Sequence, residues 1–218
     1  MTRLGLLLLC VSISLSAQDY SKPQPAQAVD AGSSAQTPVY TADGKLLFPT
    51  TYREWIYLTS GVDMSYNPNA MAGHSMFDNV FVNPDAYKAF LQTGTWPDKT
   101  MLVLEVRGAG TNASINKSGH FQTSELMGRE VHVKDESRFG ASGKWAFFGF
   151  DSGNTGIQLP KEASCYSCHE QHAAVDTTFV QFYPTLLGIA TNKGTLSQSY
   201  LKEEAAAGKP TGDRKESK

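Results

Sequence analysis

Cys165-Tyr166-Ser167-Cys168-His169 stands late in the chain, after a run of strand-like segments, and that placement decides how the rest is read. A C-x-x-C pair serving thiol–disulfide exchange is expected after an early strand of a βαβ unit. This one comes after the strands. On a helix, Cys165 and Cys168 are three residues apart and His169 is four from Cys165, so the three share one face. C-x-x-C-H is the pattern by which a chain attaches haem. The two thiols add to the two vinyl groups, and the adjacent imidazole is held under the iron as proximal ligand. A zinc site would need a second ligand pair. His172 offers a third ligand, but its place three residues beyond His169 reads as exposed helix surface.

The chain has 218 residues, 40% hydrophobic and 11% aromatic, enough for one substantial core. A net charge of -2 gives no reason to expect nucleic acid or an anionic membrane surface as partner. Residues 1–17 read as a secretory signal: Arg3, then an apolar run from Leu4 to Leu15, then small residues at Ser16 and Ala17. Cys10 lies inside that run, not after it, so lipidation is not expected. Cleavage near Ala17 leaves only Cys165 and Cys168, both consumed by haem, and no disulfide is expected. Attachment of c-type haem takes place outside the cytoplasm, so a bacterial periplasm is the expected location.

Residues 18–40, with Ser21-Lys22-Pro23-Gln24-Pro25, read as a disordered linker. A haem domain is expected over residues 41–191. Thr50 or Thr51 caps a short helix through Trp55. Ser75–Val82 reads as a strand. Pro84–Leu91 reads as a helix with Tyr87, Phe90 and Leu91 on one face and Gly94 as its stop. Met101–Arg107 is nearly all apolar, so it is buried on both faces. Leu102, Leu104 and Val106 share one side; Met101, Val103 and Glu105 share the other. Gly108–Gly119 reads as a loop. Arg129–Asp135 alternates, with Val131 and Val133 inward and Glu130, His132 and Lys134 on a face that looks solvated. Trp145–Phe150 is another strand, and the helix bearing the cysteines starts near Lys161. Asp176 reads as the cap of a second helix carrying Phe179, Phe182, Tyr183 and Leu186, kinked at Pro184. Residues 192–218 read as a polar tail, disordered or a frayed helix. The order predicts an α+β fold: an antiparallel β-sheet packed against helices, with a C-terminal C-x-x-C-H helix.

At this point the chain resembles the cytochrome P-460 family, including its gas-binding branch, cytochrome c′-beta. The resemblance covers about residues 43–188. It rests on Tyr52-Arg53-Glu54-Trp55, Asn83-Pro84 with Tyr87, Gly128 with Glu130, and Val133-Lys134-Asp135 with Arg138-Phe139. Trp145-Ala146-Phe147, Leu159-Pro160, Cys165, Cys168-His169 and Phe179 with Phe182-Tyr183-Pro184 complete it. The resemblance implies a homodimer, one c-type haem with a proximal histidine, and an open distal side. In the hydroxylamine-oxidising branch a strand lysine is cross-linked to the haem edge; the matching position is Leu104, which cannot form that bond. A distal arginine of the family matches Asp78, a reversal of charge. The distal glutamate matches Glu130, where it would relay protons, although alternation alone reads Glu130 equally well as a surface residue.

These residues lead to three expectations. The first is a five-coordinate haem, with Leu104 and Phe182 in its pocket, binding NO or CO and scavenging NO. Leucine supplies bulk and no hydrogen bond, which NO and CO need less than O₂ does. The second is an electron carrier for an unknown redox partner. Its sixth ligand would come from Met64, Met71, Met76, Met101, Met127, His74, His120 or His132, with Met71–Met76 the first stretch to inspect. The third is a hydroxylamine-oxidising enzyme using Glu130, argued against by Leu104.

Overall fold

The computed structural model describes residues 36–64 and 75–208. The signal at 1–17, most of the linker, and Met71 and His74 lie outside the described residues. Seven strands among those described form a single antiparallel sheet: β1 (Leu46–Leu47), β2 (Ile56–Val62), β3 (Met76–Val82), β4 (Met101–Gly110), β5 (Phe121–Lys134), β6 (Trp145–Phe150) and β7 (Thr155–Gln158). Their spatial order is β1-β7-β6-β5-β4-β3-β2. The helices are α1 (Pro84–Thr93), α2 (Glu136–Phe139), α3 (Ser164–His172), α4 (Leu187–Lys193) and α5 (Gln198–Ala206). The α+β expectation holds.

Local chemistry explains the boundaries. Pro84 opens α1, where its missing N–H costs nothing, and Gly94 closes it at φ 74°, with its N–H bonded to the Phe90 carbonyl. Ala86 and Phe90 are the buried face of α1, whereas Leu91, expected beside them, is 40% exposed. The segment Tyr52–Glu54 makes a 3-10 turn. Strands β4 and β5 run further than the sequence suggests, pairing out to Gly110 and Phe121, so the connecting loop is shorter than Gly108–Gly119.

Both faces of the sheet are covered, which is why β4 is apolar on both sides. One face packs Phe48, Tyr52, Val103, Val131, Val133 and Phe148 beneath β1 and α2. The other packs Leu58, Val82, Leu102 and Trp145 against Phe90, Trp96, Val180, Leu186 and Tyr200 from the helical side. Each such fully buried large side chain stabilises the fold by roughly 1.5–3 kcal/mol. His132 and Lys134 lie on this helix-covered face and are buried, so the solvated face expected of them is corrected. Strand periodicity misleads here because the hydrogen-bond partners of His132 and Lys134 come from the turn after α3 and from the α1–β4 connection, both distant in sequence.

Three further expectations are corrected. Asp176 caps no helix: it sits at φ 51° in a turn, and the following segment makes only a 3-10 turn at Val180–Phe182 before α4 starts beyond Pro184. The region from residue 192 is not merely a tail, because α5 docks through Tyr200, 3% exposed. Ser197 starts that helix, accepting from Tyr200 N–H and donating to the Ala173 carbonyl at 2.6 Å. At the other end, ordered contacts begin before Tyr40. The Gln36 carbonyl accepts from Asn83 Nδ2, and Tyr40 O–H donates to Asp135.

Candidate functional site

Strand register builds one wall of a cavity from three rows of side chains. Cross-strand partners place Thr59, Val80, Leu104 and Glu130 in the central row. A row toward one end holds Gly61, Asp78, Val106 and Gly128; a row toward the other holds Val82, Leu102, His132 and Phe147. The facing wall is His169 on α3 with Thr178, Phe179, Phe182 and Tyr183 from the segment after it. The cavity between them has an empty volume of about 920 Å³ with its mouth included.

His169 is held at one ring nitrogen. Its Nδ1 lies 2.7 Å from the Thr177 carbonyl oxygen, which only accepts, so Nδ1 carries the proton and Nε2 keeps its lone pair. Burial holds its pKa below the ordinary value, against the opposing pull of the Thr177 bond, so the ring is neutral at pH 7. Phe147 meets the ring edge-on at 4.7 Å, and Phe179 lies against it at 4.1 Å. A neutral imidazole fixed through Nδ1 is the form that ligates a metal.

His132, from the sheet wall, reaches the His169 ring. It stacks on Phe147 at 3.9 Å, lies edge-on to His169 at 5.2 Å, and has Nε2 3.2 Å from Thr177 Oγ1. Burial holds its pKa well below the ordinary value. Its ring is thus packed against Phe147 and His169. Of the other suggested sixth ligands, Met101 is buried beneath the opposite sheet face, while Met127 and His120 line a separate shallow surface pocket. Met76 is not in the cavity wall, but Met64 is. Gly61 makes room for it, since a Cβ there would collide with the Met64 side chain.

Leu104, Phe182 and Glu130 all line the cavity. Protein surrounds the Glu130 side chain although much of its surface opens into the recess; that burial raises its pKa, and Asp78 adds to the rise. Asp78 is raised likewise by burial and then by Asp63. Among the described residues neither carboxylate has a hydrogen-bond or ion-pair partner, and no lysine or arginine lines the cavity. Lys99, the nearest lysine in sequence to Leu104, is paired instead with Asp135.

Cys165 and Cys168 are free, half-buried thiols on α3, outside the residues that line the cavity. Burial raises both pKa values, and the negative charge of Glu130 contributes at Cys165. No cluster of three His, Cys, Asp or Glu among the described residues could hold a metal ion, so the cysteine pair has no zinc-site partners there. His172 is exposed and faces Glu203 of α5 at 3.1 Å.

Thr177, Phe147 and Phe179 emerge only here as residues arranged around the imidazole. A signal for His132 was available: β4 reads as buried on both faces, so its neighbour β5 needed cover on both as well.

A largely apolar cavity with a neutral imidazole tethered through Nδ1 fits a metal-bearing macrocycle. The family model for cytochrome P460 matches residues 49–180, more than half of the chain. The chain belongs to the cytochrome P460 family, and is a haem-binding cytochrome. No curated protein matches it significantly.

Proposed function

We propose that the chain is an exported, mono-haem c-type cytochrome whose five-coordinate haem binds small neutral gases, NO foremost, and scavenges NO. Cys165 and Cys168 would carry the two thioether bonds, and His169 would be the proximal ligand. The haem would supply the iron at which the gas binds. The protein side of the work is done by three groups. Thr177 holds the imidazole, Leu104 and Val80 line the gas site with hydrocarbon, and Phe182 and Phe179 pack the helical wall.

The observation that carries this reading is the pairing of a neutral, Nδ1-tethered His169 with a sheet wall whose centre is Leu104. Leucine donates no hydrogen bond, so it gives bound O₂ no help and leaves NO and CO unaffected. Asp78 and Glu130 add negative charge without a cation, which favours neutral ligands over anions. Export follows from the signal-like residues 1–17 and is typical of the family. The homodimer implied by the family is part of the proposal. Phe121, Leu126 and Met127 on β5 are exposed apolar side chains available for that contact.

One observation favours a second reading. Met64 lines the cavity, and a thioether on the iron would make a six-coordinate electron carrier of higher potential. A hydroxylamine-oxidising role draws on Glu130 in the cavity wall and is weakened by Leu104 at the cross-linking position. Visible spectra of the purified protein, ferric and ferrous, with and without NO, separate the three. A high-spin ferrous band that shifts with NO supports the gas site. A low-spin ferrous spectrum indifferent to NO, restored to high spin by Met64→Leu, replaces it with the electron carrier. A red-shifted ferrous band replaces it with the cross-linked enzyme.

A further inference from the structure

We infer that the turn at Val175–Thr178 is a clamp that sets the orientation of the His169 imidazole, with Trp96 and Thr178 as its positioning residues and Lys134 as its anchor. The inference rests on the proximal-ligand reading of His169 and goes beyond it by naming what holds that ligand's acceptor in place.

Helix α3 cannot orient its own histidine. It is nine residues long and contains no fully buried residue. Among the described residues the one polar contact of the imidazole goes to the Thr177 carbonyl, which lies in the turn after the helix. That turn is closed by backbone bonds between Val175 and Thr178 and passes through Asp176 at φ 51°, a conformation that needs external support in a residue other than glycine.

The support comes from the α1–β4 connection and the end of β5. Trp96 Nε1 donates to Thr178 Oγ1 at 2.7 Å, and the same hydroxyl donates to the Val175 carbonyl at 2.8 Å. Lys134 Nζ donates to the Trp96 carbonyl at 2.6 Å and lies 3.3 Å from Asp176 Oδ2. Trp96 and Thr178 are buried to within 2% of their surface, and the indole packs on Phe90 at 4.3 Å. The Thr177 carbonyl is therefore flanked on both sides by residues pinned to β5 and to the α1–β4 connection. A fixed acceptor fixes the direction and strength of the Nδ1–H bond, and with it the basicity of Nε2 toward iron.

The test uses the haem-loaded full chain and three variants: Thr178→Val, which keeps buried volume and removes the hydroxyl; Thr178→Ser, which keeps the hydroxyl; and Trp96→Phe/Thr178→Val, which removes both partners together. Haem content is measured first, by pyridine haemochrome. The readouts are the iron–histidine stretch of the ferrous protein by resonance Raman and the reduction potential. Expected is a lower stretching frequency and a raised potential in Thr178→Val and in the double variant, because a slack acceptor makes the imidazole a weaker donor. Thr178→Ser should stay at the wild-type values. Haem-loaded variants with wild-type frequency and potential overturn the clamp while leaving the proximal-ligand reading intact. A wild-type protein that carries no haem, or whose iron–histidine mode is unchanged by loss of His169, overturns that reading and the clamp with it.

Discussion

Leu104 and Glu130 are register partners on adjacent strands, and both face the cavity. A hydrocarbon and a carboxyl of raised pKa thus stand side by side opposite His169. On the proposed gas-binding reading, these two neighbouring side chains would carry the distal chemistry, and they can be changed separately.

Leu104→Gln should convert the gas preference. A side-chain amide donor beside the iron would stabilise bound O₂, which carries partial negative charge, and do little for CO. A charge-assisted hydrogen bond of about 1.5 kcal/mol predicts a rise of about tenfold in O₂ affinity relative to CO. Ferrous-state titrations with both gases measure the ratio. No change in it would mean that residue 104 does not reach the bound gas.

The two unpartnered carboxylates should act on ligand charge. In Asp78→Asn/Glu130→Gln, azide should bind the ferric protein about tenfold more tightly, the scale of Coulomb repulsion of about 1–2 kcal/mol across a partly screened cavity. CO binding to the ferrous protein should stay within about twofold. Equal changes for azide and CO would show that the acids shape the cavity and do not filter charge.

Glu105, fully buried on the opposite sheet face, should make stability depend on pH. Its carboxylate accepts from Tyr52 O–H, from Arg107 Nε at 2.9 Å and from Arg53 Nη2 at 2.6 Å. Burial pushes its pKa up, but the Arg107, Tyr52 and Arg53 contacts outweigh burial and hold it below the ordinary value. The unfolded chain therefore takes up the proton first. The contribution is complete above about pH 4.5, where the unfolded carboxyl is ionised, and fades as pH falls through the lower folded value. Glu105→Gln should cost about 2 kcal/mol at pH 7, less than a fully enclosed pair because Arg53 is half exposed. Urea unfolding at pH 7 and pH 3.5 should show that difference shrinking. A constant difference would assign the loss to packing.

Tyr200→Ala should loosen α5 from the domain. Removing an aromatic ring that is 3% exposed costs about 3 kcal/mol. In a chain of this size that lowers Tm by about 6–12 °C. A thermal melt followed by circular dichroism checks it. A shift below about 2 °C would return residues beyond 192 to the status of a tail.

Much of the fold was legible in the chain because local rules govern it. Pro84 and Gly94 bracket α1, and the near-continuous apolarity of Met101–Arg107 implies a strand covered on both faces. The cysteine spacing places three reactive side chains on one helical face. Less was legible where a polar residue is buried by something distant in sequence. His132 and Lys134 alternate with valines as surface residues would, yet Thr177 and Asp176 meet them from beyond α3. Asp176 has the composition of a helix cap and serves in a turn, since Lys134 claims its carboxylate.

By itself the sequence determined the cysteine–histidine motif and most strand and helix types, because each is a matter of residue identity or short-range spacing. Tertiary structure alone decided that Leu104, Glu130, Asp78 and Met64 share a cavity with His169, and that the Thr177 carbonyl holds the imidazole. Those relationships depend on strand register and on long-range hydrogen bonds, where a shift of one residue would send every side chain of a strand to the other face.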